Sequence, residues 1–300
     1  MQIDIKDILN KHANQECIIV GSGQTMGDFD YNNFKGKIIF CGTAILRLEK
    51  VIPDYLITCN NHFPVINIKS HFDLLNKYKN MTWIFSDTGC YNDIWDFSEK
   101  IFKNFVPNYL PFDDRHFNRK ECQPKQKCCQ FLNLYRERKT IHEILEEKSQ
   151  VKFPKKYHTS MTVAEFALMF ALLMNFNKIY FQGIDLPTKK YQTKKFNKKY
   201  YGYKNEKADE FLDECLKICR KKYFFYYLKK LNFKPYLKSL KRRVNVFFNK
   251  NYSDFKEDIE KSLITFNWLS QIAKKKGVQL YNLSSASNLK LVDGIETTPR

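Results

Sequence analysis

Two short strings in this chain put reactive side chains where a ligand could meet them. The first is His158-Thr159-Ser160, an imidazole and two hydroxyls just ahead of an apolar run, and the second is Asp185, two residues beyond the glycine that closes KIYFQG. Hydroxyls at a helix start suit an anionic group, because the first backbone amides of a helix lack partners of their own. A carboxylate just past a strand end can take a proton, and an imidazole titrates near neutrality without help. A third string, Gly21-Ser22-Gly23, follows the run ECIIV and could bring backbone amides close to a phosphate. The third glycine of a dinucleotide fingerprint is missing, the next being Gly27, so GSG marks a strand-to-loop turn better than a dinucleotide site. Gly42 and Thr43 close KIIFC, and Asn60, Asn61 and His62 close IPDYLITC. Such termini can bond a base, a ribose or a phosphate, and a simple turn accounts equally well for the asparagines.

The elements that must position these groups follow from periodicity. Val163, Phe166, Ala167, Phe170, Ala171, Leu173 and Met174 recur at spacings of three and four, which predicts a helix with Thr159, Ser160 or Thr162 as its cap. Asn-Phe-Asn breaks it, and KIYFQG follows as a buried strand. Further strands are expected at Cys17 to Val20, KIIFCG, IPDYLITCNN, MTWIFSD and VQLYNLS, with helices over 43–50, 70–80, 93–105, 136–148 and 255–276 and a loop over 106–135. This alternation predicts a doubly wound α/β domain with a mostly parallel, Rossmann-like sheet. In such a sheet the carboxyl ends of the strands line one edge, and ligands bind there.

With 300 residues and a 43% apolar fraction, the chain can build one large α/β domain with insertions. The α/β domain is expected over 1–188 and 252–300, with 189–251 inserted. The first part of the insertion, KKYQTKKFNKKYYGYKNE, lacks apolar periodicity and reads as a mobile lid. Between Arg220 and Lys250 there are eleven Lys or Arg and no Asp or Glu, interleaved with Tyr and Phe. Such a basic aromatic helical segment suits an anionic membrane surface; the composition could also cover single-stranded nucleic acid, or form a solvated hairpin packed on its own aromatics. The net charge of +19 points the same way, towards an anionic partner, but lysines are scattered along the whole chain, and no nucleic acid partner is assigned. A homo-oligomer is left open. Nine cysteines, several within strand-like runs, fit a reducing compartment, and Cys122, Cys128 and Cys129 lack the paired spacing of a zinc site. MQIDIKDILNKH has no apolar core of a signal peptide and no apolar run approaches the ~20 residues of a membrane span. The expectation is a cytoplasmic protein, with peripheral attachment to the inner membrane open to it.

Taken together, GSGQTM after the first strand, HTSMTVAEFAL at the helix start, IYFQGIDL, and YNLS near the end resemble the bacterial CMP-sialic acid-dependent sialyltransferases. The same strings resemble the motility-accessory-factor glycosyltransferases and the archaeal hydroxymethylpterin pyrophosphokinases. The likeness covers about residues 16–215 and 270–285, and leaves out the basic aromatic segment. It implies a sheet of the GT-A type and a metal-independent transfer from a nucleotide sugar, such as a CMP-activated nonulosonate, to a cell-surface glycan or lipooligosaccharide. On this resemblance Gly21, Ser22 and Gly23 approach the donor phosphate, Asn60 or Asn61 holds nucleotide, and Thr159 and Ser160 match a donor-contacting Thr-Ser pair.

Tyr191 and Tyr200 match tyrosines beside the leaving phosphate, and Tyr203 stands where the sialyltransferases carry their general-base histidine. A tyrosine of ordinary pKa ~10 is a poor base at neutral pH, so the resemblance leaves Asp185, Asp209 or His158 as the base. Further departures are Gly42 and Thr43 at a nucleotide-binding Asn, Tyr157 at an acceptor-side Arg and Pro187 at another tyrosine. Three functions are therefore open: a sialyltransferase-like glycosyltransferase needing no cofactor, a Mg-dependent pyrophosphokinase-like phosphotransferase with the cation on Asp87 or Asp185, and a catalytically inactive nucleotide- or glycan-binding relative.

Overall fold

The protein is seen in a computed structural model that describes residues 3–23, 25–26, 29–42, 44, 51–58, 80–86, 108–112, 139–154, 162–186, 253–285 and 287–298. Its centre is an eight-stranded sheet: β1 (Glu16–Val20), β2 (Lys37–Cys41), β3 (Tyr55–Thr58), β4 (Thr82–Ser86), β5 (Asn108–Phe112), β6 (Lys178–Gln182), β7 (Gln279–Asn282) and β8 (Ile295–Thr297). The spatial order is β5-β4-β3-β2-β1-β6-β7-β8, and every neighbouring pair is parallel. The chain thus winds outward from β1 in one direction as far as β5, crosses back over the sheet, and winds outward from β6 in the other. The strand order reverses between β1 and β6, where Cys17 lies beside Ile179 and Val20 beside Gln182.

The inner strands are nearly continuous apolar runs because both of their faces are buried. One face carries Cys17, Ile19, Ile39, Ile57, Ile179, Phe181 and Leu280, all in a single core with three helices, α1 (Ile141–Ser149), α2 (Val163–Leu173) and α3 (Ser253–Lys276). Helix α2 packs across β1, β2 and β3, with α1 and α3 against it. It is buried from Ala164 to Leu173, as a helix apolar all round must be. Helix α1 begins with a capping box in which Thr140 Oγ1 accepts from the Glu143 amide and Glu143 accepts from the Thr140 amide. Trp268 of α3 donates its indole N–H to the Val151 carbonyl at 3.0 Å and closes a ring cluster with His142 and Phe153.

On the opposite face Tyr180 stacks on Tyr281 and meets Phe34, which lies in the β1–β2 connection. That placement follows from right-handed crossovers: windings in opposite directions must pass over opposite faces. At the amino edge, His12 stacks on Phe176, pairs through Nε2 with the Tyr55 hydroxyl at 2.6 Å and through Nδ1 with Gln15 at 3.0 Å. Burial holds its pKa below the ordinary histidine value, chiefly by desolvation, against the Gln15 hydrogen bond that raises it.

The expected strands all occur, and two were missed. β5 falls within the stretch read as loop, because NYLPF contains Pro111; an edge strand tolerates a proline that a central one does not. β8 is three residues long, too short to show a period. The helices expected at 136–148, from Val163 and at 255–276 are α1, α2 and α3 with shifted ends. The one over 70–80 except for residue 80, which is a turn, the one over 93–105, most of the one over 43–50, and the whole insertion lie outside the described residues. The strands that flank the insertion, β6 and β7, are direct neighbours in the sheet. Cys17 and Cys41 are free, buried thiols, held protonated by desolvation. No helix among the described residues is long and apolar enough to cross a membrane.

Candidate functional site

In open parallel sheets the point where the strand order reverses is where ligands bind, at the carboxyl edge. Here the loops after β1 and β6 touch. The Gly21 amide donates to the Gln182 carbonyl at 2.8 Å and the Gly23 amide to the Gly183 carbonyl at 2.7 Å. A Cβ on Gly21 would stand 2.4 Å from the Gly183 oxygen, and one on Gly23 would stand 2.5 Å from Asp185 Oδ2 and 2.6 Å from the Gly183 oxygen. The glycines are therefore required by the approach of the β6 loop. Both glycine amides are bonded to backbone carbonyls of the β6 loop. Ser22 sits half-buried between them.

Asp185 is only 5% exposed, and its Oδ1 accepts from the Thr25 hydroxyl at 2.7 Å. Gln182, the last residue of β6, donates its side-chain amide to the Thr25 carbonyl, so Thr25 is gripped from both ends. From the other side, the segment after β7 holds the backbone around Asp185. Asn288 donates its amide to the Asp185 carbonyl at 3.1 Å and its side chain to the Leu186 carbonyl at 2.8 Å, while Ser287 Oγ donates to the Ile184 carbonyl. Leu186 takes a left-handed φ of 44° just before Pro187, a conformation that costs a non-glycine residue and that these bonds maintain.

On the β2 side stands Gly42. It has φ +53°, and among the described residues a Cβ there would meet only Val163 Cγ2, at 4.0 Å. Val163 is the first residue of α2, so the helix start stands beside the end of β2, as expected for a crossover helix. Its cap residue Thr162 makes no side-chain bond to the helix amides. Instead, Thr162 Oγ1 donates to Glu165 Oε1 at 3.2 Å, and Glu165 is fully buried in the first turn. A helix N-terminus of this kind favours a negative charge, from Glu165 or from a ligand.

The structure thus gathers Gly21, Ser22, Gly23, Gly42 and Asp185 along one edge. Thr43, Asn60, Asn61, His158, Thr159, Ser160, Tyr191, Tyr200 and Tyr203 lie outside the described residues, as do Asp87 and Asp209. Thr25, Gln182 and Glu165 were missed. Thr25 and Gln182 could have been found from the strings GSGQTM and IYFQGIDL, and Glu165 from the spacing Thr162-x-x-Glu165, which writes a capping box. Among the described residues there is no group of three or more His, Cys, Asp or Glu that could hold a metal.

Comparison with known proteins adds the following. The likenesses are to glycosyltransferases. CstII, a sialyltransferase from Campylobacter jejuni solved with the substrate analogue CMP-3FNeuAc, is 13% identical, with 95% of this chain and 86% of that chain covered and a TM-score of 0.43. Cst-I, a monofunctional α-2,3-sialyltransferase from the same organism, is 14% identical over 93% of this chain and 78% of its own, with a TM-score of 0.43. A Maf glycosyltransferase from Magnetospirillum magneticum AMB-1 is 13% identical over 96% of this chain but only 34% of its own, with a TM-score of 0.41. No family profile and no curated protein matches the sequence.

Proposed function

We propose that this chain is a glycosyltransferase of sialyltransferase-like kind, which takes a nucleotide sugar, a CMP-activated nonulosonate being the leading candidate, and transfers the sugar to a cell-surface glycan or lipooligosaccharide. The observation that carries this reading is convergence. GSGQTM, HTSMTVAEFAL, IYFQGIDL and YNLS stand far apart in sequence, yet the loop after β1, the start of α2, the loop after β6 and the end of β7 meet along one carboxyl edge. A helix start beside the end of β2 suits the phosphate of a nucleotide.

In this reading the donor phosphate sits on the β2 side, towards Thr159 and Ser160, with Asn60 or Asn61 on the nucleotide. Tyr191, Tyr200 and neighbouring lysines stabilise the departing phosphate in place of a metal. His158, an imidazole beside the donor-contacting pair, takes the proton of the acceptor hydroxyl, a task for which Tyr203 is too weak a base. The basic aromatic segment from Arg220 to Lys250 lies on an anionic membrane, near lipid-borne acceptors.

Incubation with CMP-, UDP- and GDP-sugars, with and without EDTA, tests the reading. It expects EDTA-insensitive release of CMP that is lost in His158→Ala. Turnover of ATP that requires Mg²⁺ would replace it with a phosphotransferase, and nucleotide binding with no turnover in any mixture would leave a binding protein.

A further inference from the structure

Asp185 is the one candidate base that lies among the described residues, and there it is only 5% exposed and bonded to Thr25. We infer that Asp185 is the positioning residue of this site rather than its proton acceptor: it ties the loops after β1, β6 and β7 into one frame. The inference rests on the glycosyltransferase reading for its kinetic consequence, but the frame itself is independent of it.

Its carboxylate turns towards the β1 loop. Oδ1 takes the Thr25 hydroxyl at 2.7 Å, and Oδ2 and the Gly183 oxygen crowd the same point over Gly23, 2.5 and 2.6 Å from where a Cβ would stand. Thr25 cannot move away without also breaking the bond from Gln182 to its carbonyl. The Asp185 backbone is fixed from the other side by Asn288, and the neighbouring Ile184 carbonyl by Ser287. A general base must be within about 3 Å of the proton it takes in a substrate pose. This carboxylate is buried against protein, and what it orders is the loop that carries Ser22. The role needs an acceptor of the right shape and does not need a proton to be exchanged.

That distinction is measurable. Asparagine keeps the oxygen that accepts from Thr25 and keeps the volume over Gly23, so Asp185→Asn preserves positioning and removes any base. Two measurements decide. The first is a denaturant cycle on Thr25→Val, Asp185→Ala and the double variant, with Thr25→Ser as the conservative control. The expected coupling is roughly tenfold in the unfolding equilibrium constant, the size of a hydrogen bond to a charged acceptor, and Thr25→Ser recovers most of it. Additive effects overturn the frame. Should Asp185→Ala not fold, Asp185→Asn takes its place in the cycle, with a smaller coupling expected because the acceptor is neutral; again additivity overturns it.

The second is the pH dependence of kcat for CMP release. Under positioning, Asp185→Asn turns over with a profile of wild-type shape, and Thr25→Val lowers kcat while Thr25→Ser restores it. An Asp185→Asn protein that is folded, binds CMP as wild type does and has lost turnover completely makes Asp185 the base. If the wild type turns over no nucleotide sugar, the functional reading fails, and the denaturant cycle still decides the frame.

Discussion

Adding one methyl group at Gly23 tests the contact between the β1 and β6 loops. The new Cβ would lie 2.5 Å from Asp185 Oδ2, 2.6 Å from its Cγ and 2.6 Å from the Gly183 carbonyl oxygen. The last of these is backbone, held by the amide of Gly23 itself at 2.7 Å, so it cannot step aside. Overpacking costs about 1–3 kcal/mol, and pushing the carboxylate off Thr25 forfeits a charged hydrogen bond of about 1.5–3 kcal/mol. Gly23→Ala should therefore lose about 2.5–6 kcal/mol, a large part of the 5–15 kcal/mol typical of a folded domain. Gly42→Ala is the control. Among the described residues its Cβ would meet nothing closer than Val163 Cγ2 at 4.0 Å, and its left-handed backbone costs an alanine about 1–2 kcal/mol. Urea unfolding of the three proteins gives both numbers. A Gly23→Ala variant as stable as Gly42→Ala or more so would refute the close approach, and the role of the glycines with it.

Other consequences are equally specific. Because burial depresses the His12 pKa, the unfolded chain binds the proton more readily, so this residue's contribution is present above the unfolded value of ~6.5 and lost as the pH falls through the folded one. Urea midpoints at pH 7.5 and 5.5 should therefore fall further apart in the wild type than in His12→Gln; equal separations contradict the buried pairing with Tyr55. Phe170→Ala, at a fully buried position in α2, should cost about 3–5 kcal/mol by the same assay, and a loss under 1 kcal/mol would mean that the helix is not central. Sedimentation with anionic vesicles should weaken with added salt and drop when 220–250 is removed, whereas unchanged sedimentation would leave the segment without a membrane role.

The parts of the fold legible in the sequence are those where burial writes an unbroken pattern. CIIV, IIFC, YLIT and KIYFQ are apolar because both sheet faces are covered, and α2 shows its helical period from Val163 to Met174. Strand β5 was hidden by Pro111, and β8 by its brevity. Within the site, the glycines mark a close approach, and the β6 loop is one partner in it. A sequence shows that something must come near Gly21 and Gly23, and only the register of β1 against β6 shows that it is the Gly183 carbonyl and Asp185. Thr25 and Gln182 stand inside strings the sequence singles out, GSGQTM and IYFQGIDL, but their pairing was not legible, since hydroxyls and amides occur in any loop and their partners lie some 160 residues away, at Asp185 and Thr25.

The central claim is that a nucleotide binds at the carboxyl edge, between Gly42 and the start of α2. A crystal structure of the protein grown with CMP tests it most directly. The account predicts the phosphate beside the first turn of α2, with the Gly23 amide still bonded to the Gly183 carbonyl. A nucleotide bound at the amino edge near His12, or one whose phosphate has displaced Asp185 to sit on the Gly21 and Gly23 amides, would contradict it.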